Sequence, residues 1–186
     1  MKKTISIIAS LVLSLSIQAQ EVTNAETEST QTIEFGFPGG FTYTYEHAFA
    51  KKMTIIGRGG LTGAIGYQSI NFNGEKEHYW QYSIHPYIEC EPRYYYNLQK
   101  RAKKGKKTIN NTGSFLALRT GYVFNPIVKH NVESGSGLYM VPCWGLRRSW
   151  GKHWVFEFEA GLALGWNNFN SSRVSPHLGV NFSYRL

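Results

Sequence analysis

The sequence predicts an all-β protein, a closed antiparallel up-and-down transmembrane β-barrel of eight strands. Three observations carry this. From Val174 to Leu186 every even position is apolar (Val174, Pro176, Leu178, Val180, Phe182, Tyr184, Leu186), while the odd positions hold Arg, Ser, His, Gly or Asn. A strict period of two is a strand with one apolar and one polar face. Its 13 residues outlast the ordinary strand and reach the roughly 9–11 that a tilted strand needs to cross a bilayer. Second, seven further segments of this kind precede it. Third, the ionisable strand residues of the polar face are Glu, Arg and a few His, whereas lysines sit in turns.

The first residues, "MKKTISIIASLVLSLSIQAQ", place Lys2 and Lys3 before an apolar run from Ile5 to Ile17 and a small residue at Ala19. That is the plan of a secretory signal peptide over 1–19, cleaved between Ala19 and Gln20. Thirteen apolar residues fall short of the roughly 20 of a spanning helix. Residues 20–28 are polar and aperiodic and read as a flexible N-terminal arm. The barrel is expected over 29–186.

Strands are expected at about 29–37, 41–49, 53–67, 79–98, 113–124, 137–149, 153–166 and 173–186. Between them lie "PGG", "AKK", "NFNGEKE", "KKGKKTINN", "NPIVKHNVESGSG", "SWGK" and "NNFNSS", which are turn-forming in composition. Pro38-Gly39-Gly40 splits the first apolar-alternating stretch in two, because Ile33, Phe35 and Phe37 precede it and Phe41, Tyr43 and Tyr45 follow. The split makes the strand count even, as in bacterial single-chain barrels. Cys90 and Cys143 have opposite parity on their strands, so no disulfide is expected.

The polar face decides which side is inside. It carries Glu34, Glu46, Glu89, Glu91, Glu157 and Glu159 against Arg58, Arg93, Arg119, Arg147, Arg173 and Arg185. A watery surface uses Lys freely, whereas a closed interior favours the planar Arg fork that grips carboxylates with two hydrogen bonds. The twelve are expected to form an ion-pair network in the lumen. The apolar face shows long runs of aromatics and Leu. On the seventh expected strand, Trp154 and Trp166 bracket Phe156, Phe158, Leu162 and Leu164, as aromatic girdles at two headgroup levels would.

The formal net charge of +8 falls to +6 without Lys2 and Lys3. Lys100, Arg101, Lys103, Lys104, Lys106 and Lys107 account for all of that remainder. One basic turn in an exported chain does not make a nucleic-acid surface. Counting connections from an arm on the periplasmic side places this turn on that side too, where it would face anionic phosphates.

With its signal, eight alternating segments and "GVNFSYRL", the chain resembles the small outer-membrane β-barrels of Gram-negative bacteria, the OmpA/OmpX kind. The resemblance implies a location in the outer membrane, contact with its lipids and recognition by the barrel assembly machinery. Val180, Phe182, Tyr184 and Leu186 stand at the positions of that family's C-terminal assembly signal, with Leu186 where Phe is usual. No cofactor or metal is implied, and the loop ligand is unspecified.

Ser175 and His177 share the polar face with Glu157 and Glu159, so a Ser–His–Glu arrangement, and with it a lipid-modifying acyl hydrolase or transferase, is a weaker alternative. His85, Glu89 and His177 are too far apart along their strands to share a metal: four residues of strand span about 13 Å. His47 falls on the apolar face near a strand end, where a ring can lie at headgroup level. A structural or loop-mediated interaction role is the leading expectation. A pore ranks last, because about eight strands leave room only for side chains.

Overall fold

The computed structural model describes residues 25–37, 40–72, 75–167 and 172–186. The expected signal peptide lies outside them. They form one antiparallel sheet of nine strands: β1 (Thr30–Phe37), β2 (Gly40–Ala50), β3 (Met53–Phe72), β4 (Glu75–Tyr95), β5 (Ser114–Val123), β6 (Val128–His130), β7 (Gly137–Trp150), β8 (Trp154–Asn167) and β9 (Ser172–Arg185). All but β6 close into a ring of eight. β1 pairs with β9, and β3 pairs with β4, so each ring strand has two neighbours. The first two strands are separate and antiparallel, with Gly36 opposite Gly40.

The structure departs from the expectation in three places. β3 and β4 run to Phe72 and from Glu75, well beyond residues 67 and 79. "NFNGEKE" was expected as a turn, yet most of it is strand, with Asn71 opposite Lys76 and Phe72 opposite Glu75. This puts Lys76 on a strand. β6 is a ninth strand of three residues inside the segment read as a loop. It pairs Val128–His130 with Ile84–Tyr82, extending the edge of β4 past the end of β5. Lys129 therefore also lies on a strand.

The third departure is a short helix, α1 (Leu98–Lys103), inside the basic turn. Leu98 and Ala102, four residues apart, face inward. Leu98 is fully buried with Ala25, Tyr95 and Phe115. Lys100, Arg101 and Lys103 fall in its last turn, where cations suit the helix dipole. Gly105 follows at φ +64°, a conformation that glycine adopts without strain.

Burial is inverted relative to a water-soluble fold. Among the described residues the fully or nearly fully buried positions are mostly polar: Thr44, Glu46, Thr54, Glu91, Arg93 and Glu159 are all at 0–1% exposure. The large apolar residues face out: Leu178 is 74% exposed, Ile65 73% and Trp80 62%. Alternation produces both results at once, since neighbouring residues of one strand point to opposite faces.

The two ends of the ring differ. One end, the base, holds residues 25–29, the 51–52 turn, α1, the 151–153 turn and Leu186. The other, the mouth, holds the last residues of β1, β3 and β8 and the segment after β5. Residues 25–29 are not the free arm expected for 20–28. Ala25 is buried, Thr27 Oγ1 donates to the Ala50 carbonyl at 2.6 Å, and Glu28 is held by Asn110 and Asn111. The two asparagines have φ of 55°, in the left-handed region that Asn tolerates best after Gly. This conformation turns the backbone N–H of Asn110 onto the Glu28 carboxylate, a contact that sequence periodicity does not report. Cys90 faces outward and Cys143 is buried, and both are free thiols.

Candidate functional site: the charged interior and its mouth

The inward positions of seven strands converge on one network. On β4, Arg93 grips Glu157 of β8 with two hydrogen bonds, Nη1 to Oε2 at 2.9 Å and Nη2 to Oε1 at 2.5 Å. It also donates to Glu91 at 2.5 Å and Glu159 at 3.2 Å, and its guanidinium lies 4.0 Å over the Phe115 ring. Arg58 of β3 reaches Glu34 at 3.3 Å and Glu89 at 2.6 Å, and contacts Glu91. Arg119 of β5 joins Glu89, Glu91 and Glu159. Arg147 of β7 joins Glu46 at 2.5 Å and Glu157 at 2.7 Å.

Two of the twelve residues expected in this network lie elsewhere. Arg185 is at the base, where it reaches Glu28 at 3.4 Å and contacts Asn110. Arg173 is exposed at the mouth and makes no ion pair among the described residues. Parity along a strand fixes the face, but height along the axis fixes the neighbours. The interior thus sets six carboxylates against four guanidiniums. Hydroxyl donors offset the surplus: Thr44 donates to Glu34 at 2.7 Å, Thr54 and Tyr95 to Glu46 at 2.7 and 3.0 Å, and Tyr139 to Glu89 at 2.5 Å.

Above the network, toward the mouth, a cavity of 310 Å³ is lined by Thr42, Tyr87, Glu89, Tyr139, His177 and Asn181, among others. Below it the base is closed. Asn110 Nδ2 donates to the Lys152 carbonyl at 3.0 Å, Thr112 and Ser149 share a hydroxyl hydrogen bond of 2.7 Å, and Glu28 spans to Asn111 at 2.8 Å.

The weaker catalytic constellation does not assemble. His177 Nε2 stands 3.8 Å from Glu159 Oε2, too far for a hydrogen bond, and Glu157 is committed to Arg93 and Arg147. Ser175 is exposed near the mouth and makes no hydrogen bond to His177. His85 and Glu89 are likewise engaged elsewhere, Glu89 by two arginines and Tyr139. Sequence reasoning passed over Ser134. Its hydroxyl meets His85 Nε2 at 2.8 Å, while His85 Nδ1 lies 2.9 Å from the Phe124 carbonyl. Ser134 belongs to an aperiodic segment, and nothing local marks it.

On the outer face, Phe182 packs on Phe156 at 5.2 Å between ring centroids, and Tyr184 meets Trp154 edge-on at 5.2 Å. Val180 lies on the same face of β9, and Leu186 is exposed just past its end. At the base, Trp144 Nε1 donates to Tyr96 Oη at 2.8 Å beside a cleft lined by Lys100, Lys103 and Lys104. Lys106 and Lys107 are exposed, and Arg101 donates to the Lys107 carbonyl at 3.0 Å. His47 is exposed on the outer face and stacks on Tyr45. Comparison with known protein families, with curated proteins and with solved structures finds no match to this chain.

Proposed function

We propose that the ring is a barrel embedded in the outer membrane of a Gram-negative envelope, with a structural or loop-mediated interaction role. The observation that carries this is the inverted burial: a Glu/Arg network inside, and a continuous apolar and aromatic surface outside. Soluble proteins rarely expose contiguous apolar patches beyond a few hundred Å². A membrane satisfies that surface, and closure of the ring leaves no backbone edge in lipid. The spacing of the aromatics agrees. Trp154 and Trp166 are 12 residues apart on β8, roughly 40 Å along the strand. At a tilt of about 40° this is roughly 30 Å, close to the height of an outer-membrane apolar band.

The closed base and filled interior favour this role over a pore. Lipids are the partners of the outer face. The assembly machinery would engage Val180, Phe182 and Tyr184 of β9 with the adjoining Leu186, and a loop ligand would bind at the mouth. Under this reading the base faces the periplasm, so the cations from Lys100 to Lys107 meet the inner leaflet. Each is worth about 1 kcal/mol at an anionic surface.

Two measurements test the proposal. Protein refolded in detergent should migrate differently before and after boiling and show a strand-type circular dichroism spectrum. One band unchanged by boiling, with a helical spectrum, would overturn it. A tag inserted at Gly105 should be hidden in intact cells and become labelled once the outer membrane is opened. Labelling on intact cells would reverse the orientation.

A further inference from the structure

We propose that Ser134 is an activated nucleophile, with His85 as its general base, and that the mouth of the ring hydrolyses carboxylic esters of anionic lipids. The argument begins with the tautomer of His85. A carbonyl oxygen only accepts, so the 2.9 Å contact between His85 Nδ1 and the Phe124 carbonyl requires a proton on Nδ1. In the neutral ring Nε2 is then a bare acceptor, and the Ser134 hydroxyl 2.8 Å away must donate to it. Nucleophile, base and a third group that orients the base are thereby in line, which is the arrangement that activates a serine.

The base is held rigidly. His85 is 6% exposed on the inner face of β4. The residues on either side of it clamp the carbonyl-bearing segment: Phe124 N–H donates to the Pro86 carbonyl, and Ile127 N–H to the Ile84 carbonyl, both at 2.9 Å. Ser134 itself is half-buried, and Gly135 immediately after it forms part of the wall of a 220 Å³ cavity. Leu138, Trp166 and Arg173 line the same cavity. Leu138 and Trp166 belong to the exposed apolar face and supply a surface for an acyl chain. Arg173, without an ion pair among the described residues, supplies a fixed positive charge for a phosphate. The choice of a lipid over another ester rests on the membrane reading above; the Ser134–His85 geometry does not.

The reaction balances with water as the only co-reactant. Ser134 Oγ adds to the ester carbonyl as its proton passes to His85 Nε2. The carbon–oxygen bond to the leaving alcohol breaks, and that alcohol takes the proton from Nε2. Water, deprotonated by the same nitrogen, then cleaves the acyl–serine ester, releasing the fatty acid and restoring the hydroxyl.

The test uses the full-length protein in detergent, after its change of gel migration on boiling has shown it folded. A fluorophosphonate probe should label the wild type, Ser134→Ala should lose all labelling, and His85→Gln should lower its rate about 100-fold. Both variants should keep the heat-dependent shift in migration. Fatty-acid release from phosphatidylglycerol should exceed that from phosphatidylcholine, and Arg173→Gln should remove the preference by raising KM. Absence of labelling on folded protein would overturn the proposal. So would labelling that survives Ser134→Ala and disappears with Ser175→Ala. Labelling without fatty-acid release would overturn the lipid assignment, and the gel shift reports separately on the membrane reading.

Discussion

Replacing Arg93 by methionine should cost roughly 3–5 kcal/mol of stability, the usual penalty for removing one partner of a buried ion pair. Methionine keeps most of the volume but none of the donors. Glu157 loses its bidentate partner, and Glu91 and Glu159 lose one donor each. The remaining Arg58, Arg119 and Arg147 are already shared among the same carboxylates. The midpoint of urea unfolding in detergent or lipid measures the loss. Adding Glu157→Gln to Arg93→Met should recover more than half of it, because the stranded charge is then gone. Arg173→Met at the mouth is the control, expected to move the midpoint little. Equal shifts for Arg93→Met and Arg173→Met would show that the network does not hold the fold.

Gly145→Val should destabilise by about 3 kcal/mol, the upper part of the range for overpacking. Gly145 of β7 lies opposite Phe115 of β5, and a β-carbon there would collide with the Phe115 ring. That ring is fully buried and has nowhere to retreat. Tyr95 packs against it at 5.4 Å between centroids, and Arg93 lies over its face. Phe115→Ala alone should also destabilise, by opening a cavity. The double variant should be more stable than the sum of the two losses implies, and a double-mutant cycle reads that coupling directly. Strict additivity would mean that the ring moves aside freely.

The faces of the ring were legible in the sequence because alternation is a local property. Knowing the parity of Glu91, Arg93 and Glu157 is enough to put them on the same side. Which arginine meets which carboxylate was not legible, since Arg173 and Arg185 share a parity yet sit at opposite ends of β9. The six-residue helix was hidden by its own charge. Leu98 and Ala102 are its only inward-facing apolar residues, too few to register a helical period against six surrounding cations. β6 was missed because three residues cannot establish any period; the edge of β4 offers the pairing, and no pattern within Val128–His130 does. Ser134 was invisible for a related reason. Its partner His85 is 49 residues away, and the orienting group is a backbone carbonyl that every residue possesses.

The Glu28 contacts carry a consequence for the order of assembly. One carboxylate joins residues 82 and 157 positions away, through the Asn110 N–H and the Arg185 guanidinium. Such a latch cannot fasten while β9 is still unpaired with β1, because Arg185 is in place only once that seam is shut. Contacts formed after the rate-limiting step change the speed of unfolding and leave the speed of folding nearly untouched. Glu28→Ala should therefore leave the half-time of refolding unchanged and shorten the lifetime of the finished ring. The latch works as a ratchet, adding nothing to the approach of the last strand and resisting only its departure.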